Sequence, residues 1–307
     1  MKKLAAFLTA LSLSLSLTAC ARPSDTVELK EGVSFALTDA LRITNNTTNT
    51  VYYYFLASVD NKSSEGYSMD SLSYHITDEG NSDIHEIDKD KVTITRTVQP
   101  DQNTFVYGYA GYPNNNQKNM GLYFPKEKQF LPFNSVKVRE ISDKNVHYSD
   151  SNKYVLYDDK YFTIEVDGSD CKYEYREGNS YISGLTITYT NKTEDRLVVP
   201  YIKPDAVMTG LKLSEIKDKG NLAAMSLEEL KQVDLSSDGM APRTKQYYGE
   251  SFGYECFYLG ARQSVPCSVT FTFGDVIPDF ANYNPKGVEV DLNCPALGYS
   301  QQIYINY

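Results

Sequence analysis

The chain of 307 residues contains no tryptophan, three histidines and five cysteines. The histidines are His75, His85 and His147. A zinc site needs three or four converging ligands, usually with short local spacing. His75 and His85 can meet across a hairpin through the turn Asp78-Glu79-Gly80-Asn81, but His147 lies far downstream, so all three read as surface residues. No histidine follows position 147. The literal G-x-S-x-G at Gly249-Glu250-Ser251-Phe252-Gly253 therefore lacks the later histidine that a hydrolase elbow requires, and Tyr254 to Tyr258 reads as strand where a helix should follow. Neither Asp143-Lys144-Asn145 nor Asp158-Asp159 has the glycine and terminal glutamate of an EF-hand loop. Carboxylate pairs such as Glu165 and Asp167 are common in an acidic chain and read as solubilising charge. The expectation is a protein that is not an enzyme, with no catalytic residues, cofactor or metal.

Leu- or Ala-rich helical stretches are scarce after the first twenty residues, and no later apolar run approaches the length that spans a bilayer. What is present instead is 26 Tyr and 13 Phe, with Val, Ile and Thr, side chains that suit a pleated, half-buried surface. Short alternating runs separated by Gly, Pro, Asn and Asp recur along the chain, which points to an all-β sandwich class.

The amino terminus is different. Lys2 and Lys3 precede Leu4 to Leu17, an apolar run broken only by Thr and Ser, and this reads as a signal peptide over 1–19. Its end, Leu17-Thr18-Ala19-Cys20, resembles the lipobox of bacterial lipoproteins. That resemblance implies a diacylglyceryl thioether on Cys20, cleavage just before it, and acylation of the new terminus. It places the protein on the extracytoplasmic face of the cell membrane, anchored by lipid, with acyl chains sufficient for attachment. The chain from residue 20 on has 28 basic and 40 acidic residues, a formal charge of −12. Such a surface is repelled by phosphate backbones and anionic headgroups, so nucleic acid is excluded as a partner and the membrane contact should be the lipid.

Residues 20–32 read as a polar tether, followed by a β domain over 33–142, a linker over 143–153 and a second β domain over 154–307. The halves share a plan. Thr50 to Val59 ends in Asn61-Lys62-Ser63, and Tyr181 to Thr190 ends in Asn191-Lys192-Thr193. Downstream, the turn from Val98 to Asn103 before one strand matches Leu259 to Ser264 before another. Ser226 with Glu229 fits a capping box, and Leu227, Leu230 and Val233 share a helical face, which predicts a short helical insertion near 226–233. With export, four later cysteines permit two disulfides in three connectivities. If Leu259 to Ser264 forms a hairpin loop, Cys256 falls opposite Cys267, which leaves Cys171 with Cys294; the other reading is four thiols.

The strand ending in Asn191-Lys192-Thr193, with the turns at Pro100-Asp101-Gln102 and Gly260-Ala261-Arg262-Gln263, resembles the immunoglobulin-like extracytoplasmic domains of Gram-positive lipoproteins of unknown function. Both turns are imperfect versions of the family's "PGQ"-like turn. The resemblance implies two immunoglobulin-like sandwiches in tandem and carries no catalytic residues. Tyrosine offers broad contact with few rotors, so Tyr107, Tyr109 and Tyr112 are the candidate binding surface, beside a loop at Pro113 to Gln117. The functional expectation is a non-enzymatic lipoprotein that binds an unidentified protein or glycan at the envelope. The alternatives are a ligand-capture accessory of a transporter and a surface inhibitor of an enzyme.

Overall fold

The structure is a computed structural model that describes residues 25–79, 85–86, 96–114, 119–176, 179–207, 256–273 and 287–306. Cys20, the predicted helix near 226–233 and the G-x-S-x-G segment at 249–253 lie outside the described residues. Nearly all regular structure is strand. The first half contains β1 (Thr26–Lys30), β2 (Val33–Asn45), β3 (Thr50–Asn61), β4 (Tyr67–Ser68), β5 (His75–Asp78), β6 (His85–Glu86), β7 (Thr97–Val98), β8 (Gln102–Pro113), β9 (Met120–Phe124), β10 (Gln129–Pro132) and β11 (Val138–Ser142). The second contains β12 (Lys153–Asp158), β13 (Phe162–Asp167), β14 (Lys172–Arg176), β15 (Asn179–Asn191), β16 (Leu197–Pro200), β17 (Lys203–Val207), β18 (Cys256–Leu259), β19 (Ser264–Phe273), β20 (Gly287–Cys294) and β21 (Tyr299–Asn306). Among the described residues no helix is long and apolar enough to cross a membrane.

Strand pairing recurs between the halves. β1-β2-β3-β8 is matched by β12-β13-β15 with β19 on the far side of β15; β4 pairs β7 as β16 pairs β18; β10-β9-β5 is matched by β21-β20-β17. The matching Asn-Lys-hydroxyl corners have the same internal wiring. Asn61 and Asn191 are both buried. Each Nδ2 donates to the carbonyl four residues on, Glu65 or Asp195, and to a carbonyl beside the later turn, Val98 or Gly260. Each Oδ1 accepts from the backbone N–H and hydroxyl of Ser63 or Thr193. The later turns match as well: Asp101 and Arg262 both have positive φ, 58° and 53°, and Gln102 and Gln263 both donate 3.1 Å backbone bonds to Gln99 and Gly260.

The fold begins earlier than the sequence suggests. Val27 alternates with Leu29 on β1, and Gly32, at φ 76°, turns the chain into β2, so Thr26–Lys30 is a paired strand and not tether. The expected linker is also engaged: Val146 bridges Tyr157, and His147 donates its backbone N–H to Leu156.

A bulge decides what β2 faces. Phe35 and Leu37 sit opposite Val59 and Ala57 in the first half's own core. The register then slips at Thr38, whose hydroxyl donates to the Leu56 carbonyl. Beyond the slip the alternation is inverted, and Asp39, Leu41 and Ile43 turn to the other face, as one extra residue in a strand requires. Leu41, Ile43, Tyr54 and Leu56 join the second half's core through that face. The large first sheet therefore has core on both sides, and β16, which is buried at all four positions, touches β2 and β3. Fully buried rings such as Phe35, Phe55, Phe162 and Phe257 each contribute about 1.5–3 kcal/mol.

Candidate functional site: a cleft between the halves

The inverted face of β2 carries one charged residue into the contact between the halves. Asp39 is 6% exposed and meets Arg139 of β11, which is 3% exposed. β11 runs parallel to β2 with Arg139 opposite Leu41, so its side chain shares the inverted face. Arg139 Nε donates to Asp39 Oδ1 at 2.9 Å, and Nη2 donates to Oδ2 at 2.5 Å. The pair then grips β16: Val198 N–H donates to Asp39 Oδ2 at 2.8 Å, and Val198 C=O accepts from Arg139 Nη2 at 2.6 Å. Side chains here serve a strand backbone as a neighbouring strand would, so no buried main-chain group of Val198 is orphaned.

Beside this lock lies a cleft of about 460 Å³, walled by both halves. Lys137, Phe105 and Thr38 belong to the first half, and Tyr161, Arg196 and Ala261 to the second. Arg196 lies over the Phe105 ring at 4.7 Å, and the Tyr161 ring has Arg139 at 5.5 Å and Lys160 at 4.9 Å. Two of the three lining carboxylates are already neutralised, Asp39 by Arg139 and Glu194 by Arg262 at 2.9 Å. A volume of this size suits a small ligand.

The sequence-predicted surface is elsewhere and is not a surface. Tyr107 is buried against the Tyr258 ring at 5.7 Å. Tyr112 is buried, with its hydroxyl donating to the Ile76 carbonyl at 2.7 Å. Tyr109 is half-buried and stacks on Tyr54 at 5.3 Å. Because the large sheet has core on both faces, alternation hides tyrosines of either phase.

No disulfide joins Cys171, Cys256, Cys267 or Cys294, and all four are buried. The Cys256–Cys267 pairing assumed a hairpin. Cys256 instead stands opposite Pro200 on the β16–β18 sheet, and Cys267 opposite Ile187 on the β15–β19 ladder. The six residues from Leu259 to Ser264 carry the chain from one sheet to the other. Burial pushes the Cys171 thiol up to about 12, with Asp167 and Asp170 adding to the effect. His75 and His85 do lie on paired strands, with Ile76 opposite His85, and among the described residues no three metal-ligating groups converge.

Sequence reasoning missed Asp39, Arg139, Arg196 and Tyr161. The one available signal was the slip in Phe35-Ala36-Leu37-Thr38-Asp39-Ala40-Leu41, where apolar alternation changes phase around a carboxylate.

No family model and no curated protein matches the chain. Among solved structures it is similar to the secreted serine protease VesC from Vibrio cholerae, at 11% identity over 89% of this chain and a TM-score of 0.20. The chain spans about half the length of that protein. At that score the likeness carries no argument about fold or activity.

Proposed function

We propose that the protein is a membrane-anchored extracytoplasmic lipoprotein, held by lipid on Cys20, that binds a protein or glycan component of the envelope without chemistry of its own. In this reading it consists of two immunoglobulin-like sandwiches in tandem, packed face to face. The repeated pairing order and the identical wiring around Asn61 and Asn191 support the duplication. The observation that carries a binding role is the cleft whose two walls come from different halves and are held at fixed separation by Asp39, Arg139 and Val198. A preorganised cleft avoids the ordering cost that weakens binding by loose surfaces.

Fractionation of expressing cells tests the anchored part of the reading. Wild-type protein should sediment with membranes and Cys20→Ala should not; equal retention of both overturns the lipid anchor. The binding part is tested by incubating the full mature chain with an array of envelope glycans and peptides, where saturable retention is expected.

A further inference from the structure

The geometry points to a small organic carboxylate as the ligand of this cleft, an inference that rests on the binding reading above. The charges on its walls are unequally satisfied. Both oxygens of Asp39 are engaged, by Arg139 and by the Val198 N–H, and Glu194 pairs with Arg262. On the cationic side, Arg139 Nη1 is buried without a hydrogen-bond acceptor among the described residues. Lys137 and Arg196 are exposed and have no carboxylate partner among the described residues; Arg196 has only the Phe105 ring. Three cationic groups thus line one cavity of about 460 Å³ with donors to spare, in a protein of net charge −10. Asp195 is the one lining carboxylate with no cation partner among the described residues, and it can accept from a ligand hydroxyl or amide.

Comparison of the two halves separates scaffold from site. Where the corners agree, at Asn61 and Asn191 or Ser63 and Thr193, the residues tie the backbone. Where they differ, the second half places functional groups in the cleft. Arg196 stands five residues after Asn191, where the first corner has Gly66 five after Asn61. Tyr161, whose carbonyl accepts from Lys192, stands where Gly32 accepts from Lys62. The second half thus carries a cation and a ring on the shared frame, and both line the one cavity.

The donors are of the type that match a carboxylate: a guanidinium presents paired N–H groups, and an ammonium adds a point charge. Phe105 and Tyr161 on the walls offer apolar surface to the body of the ligand, which favours an organic acid over a bare ion. A sugar acid and a peptide carboxyl terminus present this same chemistry.

Calorimetric titration of the full mature chain at constant ionic strength tests the inference. The probes are glucuronate beside glucose, and acetyl-alanyl-alanine beside its carboxyl-terminal amide. At least one acid should bind saturably while its neutral counterpart does not, and the acid that binds identifies a sugar or a peptide source. Lys137→Gln and Arg196→Gln should each weaken that acid about tenfold, the worth of one charge-assisted hydrogen bond, with unchanged melting of the protein. If the neutral partner binds as well as the acid, the carboxylate assignment fails and the cleft still stands as a binding site. Inorganic phosphate binding as tightly as either acid overturns the organic body. Binding of neither acid overturns the inference; the cleft's role is then decided by retention on the envelope array.

Discussion

Arg139 holds Asp39 by two hydrogen bonds, at 2.9 and 2.5 Å, although their positions are 100 residues apart and both are nearly inaccessible to water. Each also bonds the backbone of Val198, another 59 residues beyond Arg139. Arg139→Met should leave the Asp39 carboxylate buried without its cation and cost about 3–5 kcal/mol in urea unfolding. Asp39→Asn sets an amide donor where both oxygens accept and leaves the buried Arg139 without its anion, so it should cost a similar amount. Equal, small losses for both would mean that water reaches the pair.

The duplicated corners make a paired prediction. Asn61→Ala and Asn191→Ala each remove two bonds donated to carbonyls and the acceptor of a half-buried N–H and hydroxyl, and each should destabilise by about 2–3 kcal/mol. Chemical denaturation of the two variants side by side checks it. A large loss at one corner with none at the other would show that the two are not equivalent.

Gly184 interrupts β15 at φ 103°, where an added Cβ would lie 2.2 Å from the Asp170 carbonyl. Gly184→Ala should therefore cost at least the 1–3 kcal/mol or so of a strained backbone, with more from the clash. Neutral melting of Gly184→Ala would contradict this geometry. Gly184 sits at a register slip of β15 against β19, between Ser183 and Leu185, where β14 and β13 meet along β15.

Asp167 is the clearest titration. The Lys153 side chain, then the Ser169 hydroxyl and backbone N–H, hold its carboxyl down at about 2, from an ordinary 3.8. A carboxylate with a lowered folded value stabilises the fold above its unfolded value, so this contribution is present above about pH 4 and is lost as pH falls toward 2. Carboxyl carbon shifts should place the Asp167 midpoint near 2, and Lys153→Ala should raise it. A midpoint near 4 in the intact protein would remove the interaction.

The β class was legible because it depends on local alternation, composition and turn residues, all present in the chain itself. So were the corners: Asn61-Lys62-Ser63 and Asn191-Lys192-Thr193 match in sequence because the same short-range hydrogen bonds require the same side chains. The cleft was not legible. Its residues come from β2, β8, β11 and the turns before β13, β16 and β19, brought together by a bulge at Thr38 that inverts a face. Tyr107 and Tyr112 misled for a related reason. Period-two alternation tells which face a residue takes, but not that a second sheet covers that face as well. The Cys256–Cys267 expectation failed at the turn, since six residues can either close a hairpin or cross between sheets.

The most direct test of the account is retention of the full mature chain on the envelope glycan and peptide array, compared with Ala261→Tyr. Ala261 is an exposed turn residue on the cleft wall, so a larger side chain there fills the cavity without disturbing Asp39, Arg139 or Val198. The account predicts that wild type retains a ligand saturably and that Ala261→Tyr loses it at unchanged stability. Equal retention by both, or by neither, would contradict a binding role for the cleft.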